Sequence, residues 1–247
     1  MKHYGIIGNP LAHSFSKPFF NEKFRNEGID AVYENYELQN INKLLEVLAS
    51  DPLIEGLNVT SPYKQKVLEF LDEMSPEVRA IGACNILKIK HNKGILSIKG
   101  YNGDYIAFKS SIEPLLEKHH TGALILGTGG AAKTVEVAMT ELGLPTAFVS
   151  RYERPGTVNI NRLTVDDIKT FNVIINATPC GMYPNINECP NIPYEGIDRH
   201  TLMYDLIYNP DETVFLRKGR EHGAVTKNGI EMHLLQAMES WNIWNKE

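Results

Sequence analysis

The 247-residue chain has only three cysteines, Cys84, Cys180 and Cys189, an odd number without metal-ligand spacing. That pattern excludes a disulfide framework and a zinc-type cluster, leaving reduced, partly buried thiols and no resident metal. The chain also lacks any run approaching the ~18 uninterrupted apolar residues that a spanning helix needs. Its opening Met-Lys-His-Tyr-Gly-Ile-Ile-Gly-Asn-Pro is too short in apolar residues for a signal h-region, so a cytoplasmic protein is expected. Blocks of Lys or Arg are missing too. With 25 basic against 30 acidic residues the formal charge is -5, which gives no footprint for nucleic acid or an anionic membrane and points to small-molecule partners. What remains is ordinary globular composition, 43% hydrophobic and 22% charged. At roughly 100–200 residues per domain, that length makes one large or two small domains.

Nothing repeats at solenoid period, and the chain alternates short apolar strands with amphipathic helices. Tyr4–Ile7 reads as a strand, followed by a helix from Ser16 to a stop at Gly28. A strand at Ala31–Leu38 comes next, then a helix capped by Asn40 with Ile41, Leu44, Leu45 and Leu48 on one buried face. Ile54–Val59 is a third strand, after which Ser61-Pro62 is expected to open a helix carrying Val67, Leu68 and Leu71. Such successive βα units predict a mainly parallel sheet. Cys84–Lys90 and Ile95–Lys99, flanking His91-Asn92-Lys93-Gly94, read as a hairpin closing the first half. A second series follows: a helix near Tyr105–Lys118, strand Ala123–Leu126, a helix ending at Gly143, strands Thr146–Ser150, Val173–Asn176 and Leu202–Asp205, and a helix after Pro210. The last helix, Ile230 to about Trp244, places Ile230, Leu234, Met238 and Trp241 on one stripe expected to pack in the core.

Gly127-Thr128-Gly129-Gly130-Ala131-Ala132, between a buried strand and a helix, carries the strongest chemical signal. Glycines there permit a tight turn and a close backbone approach to a diphosphate, whose charge is met by N–H groups at the helix N-terminus. Where an NAD-specific site would end its next strand with an acid, this chain has Ser150-Arg151-Tyr152-Glu153-Arg154. The two guanidiniums suit a 2′-phosphate or are solvated loop arginines, with Glu153 an opposing charge. In the first half, His13-Ser14-Phe15-Ser16 and Asn58-Val59-Thr60-Ser61-Pro62-Tyr63-Lys64 each follow a strand, where open α/β sheets bind ligands. Locally, Ser16 also reads as a helix cap, Lys64 as an ordinary exposed lysine, and Asp104 as the cap of its own helix.

Together these motifs resemble the shikimate dehydrogenase family nearly end to end. The carriers include Gly8-Asn9-Pro10, Gly82-Ala83-Cys84-Asn85, Asn102 with Asp104, Asn176-Ala177-Thr178, Gly181-Met182, Tyr204-Asp205 with Tyr208, Asn228-Gly229, and Met232-His233-Leu234 with Gln236. The resemblance implies an α/β, two-domain fold. Residues 1–102, completed by the C-terminal helix 229–247, would form the substrate domain, and residues 103–228 a Rossmann-like NADP domain. It implies reversible reduction of 3-dehydroshikimate to shikimate with NADPH, a step toward chorismate and the aromatic amino acids, by a monomer or homodimer. Lys64 and Asp104 would be the catalytic pair. Ser14, Ser16 and Tyr208 would bind the substrate carboxylate, while Asn58, Thr60, Asn85, Asp104 and Gln236 would hold the ring hydroxyls. Gly127, Gly129, Gly130 and Ala131 would cradle the diphosphate, and Ser150, Arg151 and Arg154 the 2′-phosphate. Asn176, Ala177, Thr178, Leu206, Gly229 and Met232 would line the path to the nicotinamide.

Three positions depart from the family pattern: Ile86 for a common Thr, Tyr101-Asn102-Gly103-Asp104-Tyr105 for Asp-Asn-Thr-Asp-Gly, and Ser150 for a common Asn. Many relatives also continue past the position of Trp244 into a terminal helix. The competing readings are a quinate/shikimate dehydrogenase using NAD and a dinucleotide-sensing regulator without catalysis. A sensor needs the glycine loop but not Lys64, Asp104, Asn58, Asn85 and Gln236. A methylenetetrahydrofolate-dehydrogenase-like enzyme shares the architecture, but nothing here resembles a folate site.

Overall fold

The computed structural model describes residues 1–11, 14–92 and 95–246, so His13 and the Lys93-Gly94 tip of the expected hairpin lie outside the described residues. The chain divides into two compact units, Met1–Gly103 with Ala237–Glu247, and Asp104–Gln236. Among the described residues no helix is long and apolar enough to cross a membrane.

The first unit runs β1 (Lys2–Gly8), α1 (Ser16–Glu27), β2 (Ala31–Glu37), α2 (Leu44–Ser50), β3 (Ile54–Val59), β4 (Glu73–Met74), α3 (Pro76–Ile81), β5 (Ile86–Asn92) and β6 (Ile95–Tyr101). Its six strands lie in the order β2-β1-β3-β5-β6-β4. β1 pairs parallel with β2 and β3, but β3 with β5 and β5 with β6 are antiparallel. β4 with β6 is parallel as well, so the expected mainly parallel sheet is found, with the expected hairpin supplying the antiparallel pairings, since a hairpin needs no crossover. α1 ends where expected, on Gly28 in the left-handed conformation at φ 65°, which a residue without Cβ adopts at no steric cost. Asn21 in α1 does a second job: its side chain accepts the Tyr33 N–H at 2.9 Å and donates to the Tyr33 carbonyl at 2.9 Å, on the outer edge of β2.

Two expectations for this unit need correction. Ser61-Pro62 opens no α-helix; the segment instead forms a 3-10 helix at Lys66–Phe70. The Lys64 carbonyl, which an α-helix would use internally, accepts the Cys84 N–H at 2.8 Å. Asn40 does cap, accepting the Asn42 N–H, but it caps a 3-10 turn that leads into α2. Ile41, Leu44 and Leu48 are buried, and Leu45 points outward.

The second unit takes most of α4 (Gly103–Ile112), then β7 (Ala123–Leu126), α5 (Gly130–Glu141), β8 (Thr146–Ser150), β9 (Thr157–Asn159), α6 (Val165–Thr170), β10 (Val173–Asn176), β11 (Leu202–Asp205), α7 (Val214–Glu221), β12 (Val225–Lys227) and the start of α8 (Ile230–Asn245). Here the order β12-β11-β10-β7-β8-β9 is parallel throughout. α4 is shorter than its expected span because Pro114 sits in a 3-10 turn directly after it, where a missing N–H stops the α-helical ladder. The sequence reading also omits α6. Its signal is nonetheless present as a Thr164/Asp167 capping box.

The stripe assigned to the last helix is also corrected. Ile230, Leu234 and Met238 are 39%, 42% and 37% exposed, and the buried face is Ala237, Ser240, Ile243 and Trp244, while Trp241, the fourth residue of the expected stripe, packs against Tyr4 and Phe24 as expected. Small residues on that face let the helix approach the first sheet closely. The Trp244 indole stacks on Tyr4 with centroids 4.8 Å apart and donates to the Leu87 carbonyl at 3.0 Å. It fills the space over Gly56, where a Cβ would stand 2.2 Å from Trp244 Nε1. Tyr4, Phe20, Phe24, Tyr33 and Ile86 complete this cluster. The opposite face of the sheet packs Ile7, Leu44, Leu48, Leu57 and Leu87. Cys84 is buried, which pushes its thiol up to about 12, so it is held as an inert thiol.

Gly56→Ala should therefore lower stability by about 1–3 kcal/mol through overpacking against the indole, read as a fall in the urea midpoint followed by tryptophan fluorescence. An unchanged midpoint would show that the indole yields without cost.

Candidate active site

In the second unit, residues from the carboxyl ends of β7, β8 and β10 surround a cavity of about 350 Å³. The strand order reverses between β7 and β10, the place where doubly wound sheets open a crevice for ligands. Gly127 stands at φ 114°, and a Cβ there would lie 3.0 Å from Thr178 Cγ2 and 3.1 Å from the Ala177 carbonyl. Gly129 and Gly130, by contrast, face open space. Together with Ala131 they form the exposed start of α5, where first-turn N–H groups have no intrahelical acceptor. A diphosphate fits this arrangement of close-approach glycine and free helix amides.

Thr128, Ser150, Arg151, Arg154, Ala177 and Thr178 line the same cavity. Arg154 donates to Thr128 Oγ1 at 3.3 Å, and Arg151 lies 5.9 Å from the Tyr152 ring centroid. Glu153, the residue that opposes a phosphate reading, is paired with Arg162 at 2.7 Å. Two guanidiniums therefore line a wall whose nearest acid in sequence is engaged elsewhere, which suits a 2′-phosphate. Sequence reasoning missed Cys180, Glu188 and Pro190, which also line this cavity. They lie in a long segment after β10 that carries no helix or strand periodicity.

Other residues assigned to the cofactor sit behind the cavity. Asn176 is fully buried, donating to the Cys180 carbonyl at 3.2 Å and to Asp205 at 3.0 Å while accepting from Thr178. Gly229 is required by contact, since a Cβ would stand 2.2 Å from the Leu206 carbonyl. Met232 and Leu206 both pack against the core of this unit. Asp205 ties these loops together by accepting from Asn176, the Ile207 N–H and Thr213. Burial pushes its carboxyl up to about 6, against the lowering effect of those hydrogen bonds.

In the first unit the candidate substrate residues form a connected set. The Ser16 hydroxyl engages the Tyr33 phenol. Tyr33 donates to Asn58 Oδ1 at 2.8 Å, and Asn58 Nδ2 donates to Ser240 Oγ at 2.8 Å and the Asn85 carbonyl at 3.3 Å. Both amide hydrogens of Asn58 are thus used internally, and Oδ1 keeps one lone pair for a ligand. Tyr33 and Ser240 were not anticipated, because each reaches Asn58 from a distant stretch of sequence. Ser14 Oγ is buried and accepts or donates no hydrogen bond among the described residues, as expected of a group awaiting a polar ligand. Asn85 Oδ1 accepts the Gly103 N–H at 2.7 Å, at the first residue of α4. Thr60 continues from β3, its N–H bonded to the Ile7 carbonyl at 2.9 Å. Lys64 follows in the same unit, while Asp104, Tyr208 and Gln236 belong to the other.

A family model described as the shikimate dehydrogenase substrate binding domain matches residues 6–87. A curated shikimate dehydrogenase (NADP(+)) from Caldicellulosiruptor saccharolyticus is 36% identical, covering 99% of this chain and 92% of its own length. The chain belongs to the shikimate dehydrogenase family. A relative of the same name from Methanococcus maripaludis is 37% identical over 98% of this chain and 91% of its own length. The crystal structure of shikimate 5-dehydrogenase from Thermus thermophilus in complex with NADP(H) and shikimate matches with a TM-score of 0.85 at 25% identity, covering 100% of this chain and 94% of that one. Against the family pattern, Ile86 is fully buried in the Tyr4 and Trp244 cluster, so that departure adds core packing.

The folded-state value of Asp205 exceeds the ~3.9 of an unfolded aspartate, so the stability it contributes is complete below about pH 4 and is lost as pH rises toward 6. Asp205→Asn removes this titration. The melting temperature of the wild type relative to Asp205→Asn should fall between pH 4 and pH 7, and parallel profiles would contradict the shift.

Proposed function

We propose that the chain is an NADP-dependent shikimate dehydrogenase of the cytoplasm, interconverting shikimate and 3-dehydroshikimate on the route to chorismate and the aromatic amino acids. The observation that carries this reading is the cavity at the ends of β7 and β8, walled by Arg151 and Arg154, in a chain alike over nearly its full length to proteins named for that reaction. When bound, the dinucleotide supplies the nicotinamide that exchanges a hydride with the alcohol carbon. Gly127, Gly129, Gly130 and Ala131 hold the diphosphate through backbone N–H groups. Ser150, Arg151 and Arg154 meet the 2′-phosphate, and Asn176, Ala177, Thr178, Leu206, Gly229 and Met232 shape the nicotinamide end.

Ser14, Ser16 and Tyr208 bind the substrate carboxylate, and Asn58, Thr60, Asn85 and Gln236 hold the ring hydroxyls. Hydride transfer to a ketone leaves an alkoxide that must gain a proton, and the reverse direction must remove one. Lys64 and Asp104 perform this transfer at the substrate oxygen.

The direct test is a spectrophotometric matrix of shikimate or quinate with NADP or NAD. Reduction of NADP with shikimate is expected to dominate, and cofactor binding without turnover in any combination would support a sensor instead. Lys64→Ala should lower kcat by about 10²–10⁴-fold with a smaller change in KM; near-normal kcat would remove Lys64 from the chemistry. Arg151→Ala should weaken NADP by about 2 kcal/mol, roughly 30-fold, and leave NAD little affected, whereas equal losses would show that Arg151 does not read the phosphate.

A further inference from the structure

Tyr208 stands just past β11, on a segment pinned from two sides. The Asp205 carboxylate accepts the Ile207 N–H at 3.0 Å, and the Ile207 carbonyl accepts the Gly229 N–H at 3.0 Å. The absent Cβ of Gly229 lets the first turn of α8 lie directly on Leu206. From that turn the imidazole of His233 stacks on the Tyr208 phenol, with centroids 4.4 Å apart and planes inclined by 14°. One ring face of Tyr208 is covered by His233, and the residue as a whole stays 41% exposed, which leaves part of it accessible to a ligand.

We propose that His233 is a positioning residue for substrate recognition, holding the Tyr208 ring so that its hydroxyl is presented in one direction to the anionic group of the substrate. This rests on the reading of Tyr208 as a carboxylate ligand. A tyrosine on a connecting loop otherwise rotates about two side-chain bonds, and each binding event must freeze that motion. A parallel ring partner from a helix does so beforehand. Neither ring of the stack is itself assigned to the dinucleotide, so its effect is expected in the substrate KM. Aromatic pairing of this kind accounts for about a three- to tenfold change in an equilibrium.

The experiment compares His233→Leu, His233→Phe, Tyr208→Leu and the double variant His233→Leu/Tyr208→Leu by steady-state kinetics with shikimate and NADP. His233→Leu should raise the KM for shikimate three- to tenfold, with kcat and the KM for NADP within twofold of wild type. His233→Phe, which keeps the stack, should restore the wild-type KM. In the Tyr208→Leu background, His233→Leu should add nothing, because the effect passes through the phenol. An unchanged KM in His233→Leu while Tyr208→Leu raises it, failure of His233→Phe to rescue, or additive effects in the double variant would each overturn the proposal. An unchanged KM in Tyr208→Leu itself would instead overturn the reading of Tyr208 as a carboxylate ligand. Equal rises in both KM values for His233→Leu would mark a general structural role and count against the proposal.

Discussion

The first unit depends on one close contact, the Trp244 indole seated over Gly56. Without a side chain at Gly56 the ring reaches the sheet, stacks on Tyr4 and donates to the Leu87 carbonyl. The same seating brings Ser240, one turn earlier on α8, to Asn58. A residue assigned to substrate binding is thereby oriented by the far end of the chain. Lys88 adds a further tie by donating to the Ile243 carbonyl at 2.9 Å. Packing and site construction are thus a single event here, since the indole that closes the core also sets the direction of the Asn58 amide.

The second unit is organised by a carboxylate rather than an aromatic ring. Asp205 is buried at the end of β11 and accepts from three separate segments, which fixes the loops after β10 and β11 and the cap of α7 together. Burying a charge-capable group is unfavourable unless its partners satisfy it, and the raised carboxyl shows that they do so only in part. In return, the segments on which Ala177, Thr178 and Tyr208 are carried share one anchor. The glycine loop after β7 needs no such device, because its geometry follows from missing side chains.

The sequence makes the α/β architecture and the glycine loop legible, since both are encoded locally: apolar strands of four to seven residues in the first case, and glycines at a strand end in the second. The residue types at Ser14, Asn58, Lys64, Asn85 and Asp104 are legible through family resemblance. Their bonding is not, because Asn58 is oriented by Tyr33, 25 positions away, and by Ser240, 182 positions away. The outer stripe of α8 misleads for a related reason. Large apolar residues dominate its periodicity, yet the helix buries Ala237 and Ser240 because close approach favours small side chains. The expected helix after Pro62 fails through a distant partner again, as Cys84 takes the Lys64 carbonyl.

Asn21 carries a consequence for the protein in solution. β2 is an outermost strand of seven residues, long enough to template the addition of a strand from another molecule. At its third residue the Asn21 amide already supplies the donor and acceptor that such a strand would bring to Tyr33. A side chain on a neighbouring helix thus occupies the edge groups of Tyr33 to which a recruited strand would pair, and the same two bonds hold the residue whose phenol orients Asn58.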